Sequence, residues 1–204
     1  VLTWRNNDFF GLVDGLSFAA QYQGKNDRAS NSDAVRRSNG DGFALSTEYA
    51  FASHIAISAA YASINRTHTQ NLASLGNGKK AQHWLTAIKY DDNQVYLATL
   101  YGQTQNATPI SGGFANKATN FEAIASYQFL NGLRPSLAYV SSRGEDIEGI
   151  GRADIIKYAV VGASYYFNKN MSSYAEYRIT LLDKDNPLGL STDDIFAVGM
   201  IYQF

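Results

Sequence analysis

Large apolar residues alternate with small or polar residues along most of the chain, and the last ten residues show this pattern clearly. One face of an extended chain would carry Phe196, Val198, Met200, Tyr202 and Phe204, all of them large and predominantly apolar. The residues between them are mostly small or polar and fall on the opposite face. A period of two over this length predicts a β-strand with two unlike faces.

Ten further segments show the same alternation and are separated by polar or turn-forming residues. The predicted strands, about eleven in all, cover residues 1–8, 16–25, 43–51, 55–66, 81–91, 94–104, 118–129, 133–142, 155–167, 171–183 and 195–204. Between them, short turns alternate with long polar loops, which are predicted at 26–42, 67–80, 105–117, 143–154 and 184–194. Aromatic residues end several strands on the short-turn side, at Tyr90, Phe129, Phe167 and Phe204.

This arrangement is typical of a transmembrane antiparallel β-barrel. Such barrels turn large apolar side chains to lipid and small or polar ones to a water-filled lumen, with short turns at one end and long loops at the other. The aromatic strand ends are expected to form an interfacial girdle. No stretch approaches the roughly 18 apolar residues that a membrane helix needs. A soluble β-propeller would also have many short strands, but the sequence lacks an internal repeat.

Composition narrows the functional classes. Charged residues make up 17% of the chain, which is sparse for a soluble surface, where about 25% is typical. The formal net charge of −1 gives no electrostatic reason to expect nucleic acid as a partner. The absence of cysteine excludes disulfides and thiol chemistry. The chain begins at Val1 without a leader, so we expect any signal peptide to have been removed or to lie outside this segment.

The number of strands predicts that this chain is part of a larger barrel. Single-chain bacterial barrels close with an even number of strands, because every backbone group in lipid must be paired. Eleven strands also place the two ends of the chain on opposite sides of the membrane. We therefore expect this chain to be the C-terminal part of a barrel that has about five further strands upstream of Val1.

Several stretches, in order along nearly the whole chain, resemble one family of outer-membrane proteins. They are Trp4-Arg-Asn-Asn-Asp-Phe-Phe-Gly-Leu-Val-Asp-Gly15, Tyr22-Gln-Gly-Lys25, Arg37-Ser-Asn-Gly-Asp-Gly42, Gly112-Gly-Phe-Ala-Asn-Lys117, Gly132-Leu-Arg-Pro-Ser136, Asp146-Ile-Glu-Gly-Ile-Gly151, Tyr165-Tyr-Phe-Asn-Lys-Asn-Met171 and Val198-Gly-Met-Ile-Tyr-Gln-Phe204. The chain resembles the general, non-specific diffusion porins of the enterobacterial outer membrane.

The resemblance implies a sixteen-stranded trimeric porin for passive diffusion of small hydrophilic solutes and ions, with residues 1–204 as strands six to sixteen. The folded-in third loop, with most of the constriction, would belong to the absent N-terminal part, so pore size does not carry over. Outer-membrane lipid, lipopolysaccharide and the outer-membrane assembly machinery are the implied partners, and no cofactor is implied.

The alternation itself nominates charged residues that face the lumen. They are Arg5, Lys25, Lys89, Arg134 and Arg178 as cations and Glu48, Glu122 and Glu176 as anions. Charges lining a pore tune which ions and zwitterions pass, because the low-dielectric wall focuses their field. The alternative is a salt-bridged, solvated wall with little effect on permeation. The mixed signs argue against a strict ion filter.

Four basic residues in the predicted loops form a second candidate site: Arg36, Arg37, Lys79 and Lys80. They are either solvated loop tips or a basic mouth that steers anionic solutes or binds lipopolysaccharide phosphates.

Catalytic and metal-binding interpretations have weaker support. His54, His68 and His83 show no metal-ligand spacing, and no nucleophile-elbow or phosphate-loop pattern occurs. The segment 183–186, with Asp193 and Asp194, lacks the Gly and terminal Glu of a calcium loop and is better explained as a polar loop. We expect no enzyme activity and no metal. The alternatives left open are an adhesin or receptor whose loops bind a partner, and a barrel hydrolase.

The C-terminal residues Phe204, Tyr202 and Met200 resemble the signal that the outer-membrane assembly machinery reads. Deletion of Phe204 is therefore expected to reduce the amount of folded protein in the outer membrane far more than it changes the conductance of molecules that insert. Quantitative blotting of membrane fractions and single-channel recording measure the two effects. Wild-type assembly of the deletion variant would contradict the prediction.

Overall fold

The computed structural model describes residues 1–26 and 38–204. In these residues the strands are β1 (Leu2–Asn6), β2 (Leu16–Gln23), β3 (Gly42–Ala50), β4 (Ile55–Asn65), β5 (Lys80–Asp91), β6 (Val95–Gln105), β7 (Pro109–Ile110), β8 (Gly113–Phe114), β9 (Lys117–Tyr127), β10 (Leu133–Ile147), β11 (Gly151–Asn168), β12 (Met171–Thr180) and β13 (Ile195–Tyr202). A 3-10 turn spans Phe9–Gly11, and a single helical turn, α1, spans His68–Asn71. None of the helical segments described is long and apolar enough to cross a membrane.

Eleven of these strands form one antiparallel sheet in the order β1-β2-β3-β4-β5-β6-β9-β10-β11-β12-β13. Each strand pairs with its neighbours in sequence, except that the small hairpin β7–β8 lies between β6 and β9 and forms a separate sheet. The predicted all-β fold and the predicted number of strands are confirmed.

The two faces of the sheet differ as the alternation predicts. Directly paired residues in an antiparallel sheet share a face, so the register can be followed from strand to strand. One register row runs Trp4, Ala20, Leu45, Tyr61, Trp84, and the next runs Arg5, Ala19, Ser46, Ala60, Leu85. The first row belongs to what we call the apolar face, and the second to the polar face.

Large side chains on the apolar face are exposed instead of buried. On β13, Phe196, Val198, Met200 and Tyr202 are each 66–68% exposed. Most of the buried apolar residues in the described part of the chain are alanines, with Ile147 the one large side chain that is almost fully covered. A soluble protein rarely exposes so large an apolar surface, whereas lipid requires one.

Aromatic pairs mark the short-turn ends of three strands. Tyr49 packs edge-on against Phe51 at 4.6 Å, and the pairs Tyr127–Phe129 and Tyr165–Phe167 repeat this geometry at 4.8 and 5.0 Å between ring centroids. In each pair the two residues are separated by one position, so both rings stand on the apolar face. The predicted clustering of aromatic residues on the short-turn side agrees with this arrangement.

The predicted alternation of short and long connections is wrong at one place. The expected loop 143–154 is mostly strand, because β10 and β11 continue past register shifts near Arg143 and Ile147 and leave only 148–150 between them. Where a strand extends beyond the lipid, both of its faces are polar. The alternation of apolar and polar residues therefore cannot distinguish that part of the strand from a loop. The β1–β2 connection, predicted at 9–15, spans 7–15 and contains the 3-10 segment.

Gly102 on β6 occupies a point of close approach between strands. A Cβ atom at this position would lie 2.5 Å from the carbonyl oxygen of Trp84 and 2.9 Å from the Cβ of Leu85. Both atoms belong to β5 and are fixed by its backbone hydrogen bonds, so moving them aside would disturb the pairing of β5 with its neighbours. The sheet geometry therefore requires glycine here.

The substitution Gly102→Val should lower the unfolding free energy of the complete protein by about 2 kcal/mol, through overpacking against β5. Ala98→Val is the matched control, because Ala98 lies on the same face of the same strand and already carries a Cβ. Urea unfolding from lipid vesicles, followed by tryptophan fluorescence, measures the change. Equal midpoints for the two variants would show that the close contact imposes no constraint.

Candidate functional site

Seven of the eight predicted lumen charges share the polar face. Arg5 pairs with Ala19, Glu48 with Ser17 and Ser58, and the remaining five occupy matching positions on β5, β9, β10 and β12. These five are Lys89, Glu122, Arg134, Glu176 and Arg178. Their shared face is a structural fact, and their role in permeation remains a prediction.

Lys25 differs from the other seven. The prediction extended the second strand to residue 25, but β2 ends at Gln23 and Lys25 lies in the connection that follows. The alternation that assigned Lys25 to the lumen therefore does not apply to it. The polar composition of 24–26 gave no signal for the end of the strand, since a strand that leaves the membrane is polar on both faces.

Two of the arginines lie against aromatic rings of the polar face. Arg134 donates from Nε to the Ser126 hydroxyl at 3.1 Å, and its guanidinium carbon is 5.9 Å from the centre of the Tyr96 ring. Arg178 lies 5.0 Å above the Tyr158 ring, and its buried Nε–H has no hydrogen-bond partner. The rings hold both cations near the wall through cation–π attraction.

The salt bridges in the described part of the chain lie away from these seven residues. They join Lys117 to Glu145 at 3.4 Å, and Asp154 to both Arg143 and Lys157 at 2.7 and 3.2 Å. All five residues continue the apolar face at the long-loop end of β9, β10 and β11. Within residues 1–26 and 38–204, the charges of the polar face are therefore not neutralised by pairing.

A cluster of connections covers the long-loop end of β4 to β11. Its apolar centre is Ala115, Ala118, Ile147 and Ala153, packed by Leu75 and other partly buried aliphatic residues. The backbone of Leu75 pairs with Gly113, and its carbonyl accepts from the Phe114 amide at 3.2 Å. We call the residues 66–79, 106–116 and 147–150 the loop cluster.

Arg66 is the polar centre of the loop cluster. It is 8% exposed. Its guanidinium donates to the carbonyls of Gly76, Gly78 and Gln70, the last two at 3.1 and 2.7 Å. The Phe114 ring lies 4.8 Å from the guanidinium carbon. Because three carbonyls of one loop depend on a single buried cation, Arg66 fixes the course of residues 67–79.

Glu148 connects the same loop to the β10–β11 connection. Its carboxylate accepts from the Gly76 amide at 3.2 Å and from the Asn116 side chain at 3.0 Å. Hydrogen bonds from its own backbone N–H, and then from Asn116, lower the pKa of Glu148 below its ordinary value. Because the pKa of Glu148 is lowered in the folded state, its ionised carboxylate stabilises the loop cluster at pH values above the ordinary pKa of glutamate. This stabilisation is lost as the pH falls through the lowered pKa.

The predicted basic patch is only partly described. Arg36 and Arg37 lie outside the described residues. Lys79 is exposed, and its carbonyl accepts from the Arg66 amide at 2.9 Å, while Lys80 is the first residue of β5 and is also exposed. Both lysines therefore lie where the chain re-enters the sheet, and the two interpretations of the basic patch remain predictions.

The described residues contain no group of three or more His, Asp or Glu side chains that could hold a metal. His54 lies in a turn against Tyr90, His68 begins α1, and His83 stands on β5. In the loop after β12, Asp194 accepts from the Thr180 amide at 2.8 Å and from the Tyr177 hydroxyl at 2.7 Å. Asp194 therefore secures the end of this loop.

Comparison with known proteins decides the family. The model of the Gram-negative porin family matches residues 1–204, the whole chain. The chain belongs to the Gram-negative porins. Outer membrane porin PhoE of Escherichia coli (strain K12) is 58% identical to it over 203 residues, covering 99% of this chain and 57% of PhoE. Outer membrane porin F of the same strain is 53% identical over 210 residues, covering 100% and 57%.

Solved structures agree with the assignment. A Salmonella typhi OmpF structure in complex with daunomycin superimposes with a TM-score of 0.89 at 44% identity, covering 99% of this porin and 61% of that chain. A second porin structure, 14% identical with a TM-score of 0.65, is similar in fold. This chain spans a little under three-fifths of the length of the curated relatives named above.

Sequence reasoning missed the loop cluster of this porin. The predicted loops 67–80 and 105–117 contain α1 and the hairpin β7–β8, and neither is long enough to show a period. One signal was available: Thr67 and Gln70 form a capping box, in which Thr67 Oγ1 accepts from the Gln70 amide and Gln70 Oε1 from the Thr67 amide. No sequence pattern predicted the role of Arg66, because its hydrogen-bond acceptors are backbone carbonyls.

Replacing Arg66 with alanine should open the loop cluster locally while the sheet remains folded. Three carbonyls lose a charged donor, and we expect the opening free energy of residues 67–79 to fall by about 3 kcal/mol, roughly a 100-fold loss of amide protection. Hydrogen exchange of the complete protein measures this. Lys79→Ala is the control, since it removes an exposed neighbouring cation. Unchanged protection in Arg66→Ala would contradict the assigned role.

Proposed function

We propose that the complete protein forms a water-filled channel in the outer membrane, through which small hydrophilic solutes and ions diffuse passively and without catalysis. The observation that supports this most strongly is the division of one continuous antiparallel sheet into two faces. Among residues 1–26 and 38–204, the apolar face exposes large side chains along the strands, and the polar face carries alanine, serine and seven charged side chains that form no salt bridge there. Family membership supports the same function.

The polar face would form part of the channel wall, and its charges would tune permeation. Both signs occur, so we expect a pore that admits cations and anions and prefers one only modestly. Lys25, Lys79 and Lys80, with Arg36 and Arg37, would add positive charge near the mouth and attract anionic solutes or lipopolysaccharide phosphates.

The complete protein is also proposed to assemble as a homotrimer, with lipid and lipopolysaccharide around it. The exposed side chains of Met200, Tyr202 and Phe204 would be available to the outer-membrane assembly machinery. This chain would supply strands six to sixteen of the barrel, and the constriction loop would come from the remainder of the protein.

Planar-bilayer recording of the complete protein tests the channel function. Conductance should rise in proportion to salt concentration and persist for cations and anions of several sizes, as a water-filled pore requires. Insertion without conductance, or conductance that saturates at low salt, would contradict passive diffusion through a wide lumen.

Neutralising lumen charges should shift ion selectivity in opposite directions. At about 10 Å in water a unit charge changes the energy of a monovalent ion by about 0.4 kcal/mol, with opposite signs for cations and anions, so removing one charge changes the cation-to-anion permeability ratio roughly fourfold before salt screening. Glu122→Gln with Glu176→Gln should therefore favour chloride, and Arg134→Gln with Arg178→Gln should favour potassium. Reversal potentials in a KCl gradient measure the ratio. Shifts of the same sign in both double variants would mean that these residues do not line the ion path.

A further inference from the structure

The sequence contains three Asn-Gly steps, and each lies in a connection between strands. They are Asn39–Gly40, Asn77–Gly78 and Asn131–Gly132. An asparagine followed by glycine deamidates readily, because glycine has no Cβ to hinder the attack of its amide nitrogen on the asparagine side chain. The reaction needs an unrestrained asparagine side chain, a glycine N–H that is not hydrogen-bonded, and water. The three steps differ in how well the structure meets these requirements.

Two of the steps are restrained by hydrogen bonds. In the turn after β9, the Gly132 amide donates to the Phe129 carbonyl at 3.1 Å. In the connection before β3, the Asn39 side chain donates to the Gly24 carbonyl at 2.9 Å, and Gly40 is buried. At each of these steps a reacting group must first leave an existing contact, which slows the reaction.

The step Asn77–Gly78, in the loop cluster, is different. Asn77 is exposed to water. Within the described part of the chain, the Asn77 side chain forms no hydrogen bond and the Gly78 N–H has no acceptor. Gly78 is held through its carbonyl instead, which accepts from Arg66 at 3.1 Å. The attacking nitrogen, the side-chain amide and water can therefore meet here without breaking a hydrogen bond.

We propose that Asn77–Gly78 is a site of spontaneous deamidation. The Gly78 amide nitrogen loses its proton and forms a bond to Asn77 Cγ, while the bond from Cγ to the side-chain nitrogen breaks and ammonia leaves. The product is a succinimide, a ring within the chain. Water then adds to one of its two carbonyl carbons and opens the ring. The result is either aspartate or isoaspartate, in which the backbone runs through the former side chain.

Isoaspartate at position 77 would disturb the contacts of Arg66. The Nη1 atom of Arg66 donates to the carbonyls of both Gly76 and Gly78, which flank Asn77. Isoaspartate lengthens the backbone between these two carbonyls by a methylene group, so the arrangement in which a single nitrogen binds both is lost. Aspartate adds the same charge and leaves the backbone unchanged. We therefore expect the isoaspartyl form, and not the aspartyl form, to open the loop cluster.

Peptide mapping of the complete protein after incubation in warm, mildly alkaline buffer tests the modification. Mass spectrometry detects the conversion of amide to acid, and chromatography separates isoaspartyl from aspartyl peptides. We expect Asn77 to convert at least about fivefold faster than Asn39 and Asn131, the factor that breaking one ordinary hydrogen bond imposes. Equal rates at the three asparagines, or no conversion at Asn77, would overturn the proposal.

Hydrogen exchange of the incubated protein tests the consequence. In the isoaspartyl form, amide protection of residues 67–79 should fall at least about tenfold, as expected when a hydrogen bond to a charged group is lost. Asn77→Asp is the matched control, because it adds the charge without lengthening the backbone, and it should keep most of this protection. Unchanged protection in the isoaspartyl form, or an equal loss in Asn77→Asp, would contradict the proposed effect on Arg66. Neither measurement depends on the channel function.

Discussion

Pairing of backbone hydrogen-bonding groups in lipid is the constraint on which this structure depends. A strand that crosses hydrocarbon must have every N–H and C=O satisfied by its neighbours. Within the described residues the ladder pairs each strand from β2 to β12 with two neighbours, and β1 and β13 with one, with register shifts only in β10 and β11. Because the ladder fixes the register, successive side chains of each strand must point alternately to lipid and to water. Close contacts such as Gly102 against Trp84 are a consequence of the same geometry.

The two ends of the sheet are stabilised by different interactions. At the short-turn end, aromatic pairs such as Tyr127 with Phe129 stand on the apolar face, where an interfacial girdle is expected. At the long-loop end the chain is out of the lipid, and separate loops must be held together. There a buried cation, Arg66, binds carbonyls of its own loop, and Glu148 connects that loop to the next. Between the two ends, the polar face of the described strands carries charged side chains that form no salt bridges with one another.

The sequence was sufficient to predict the sheet because lipid imposes a strict period of two. All eleven crossing strands and the face of residues such as Glu122 and Arg178 follow from alternation alone. Prediction failed where the lipid ends. Three features were missed: the extension of β10 through Arg143, the end of β2 before Lys25, and the contacts of Arg66. All three lie in water, where both faces of a strand are polar and the hydrogen-bond acceptors of Arg66 are backbone atoms. No residue pattern encodes a contact between one side chain and distant carbonyls.

The most direct test of this account is the solvent that each face of β9 contacts, and the absence of cysteine gives a clean background for it. Glu122→Cys and Phe121→Cys place single thiols at adjacent positions on opposite faces. In the complete protein reconstituted in lipid, a membrane-impermeant, charged thiol reagent should react rapidly with the cysteine at 122 and change the conductance, and should leave the cysteine at 121 unmodified. Rapid reaction at 121, or protection at 122, would contradict the assignment of the polar face to a water-filled lumen.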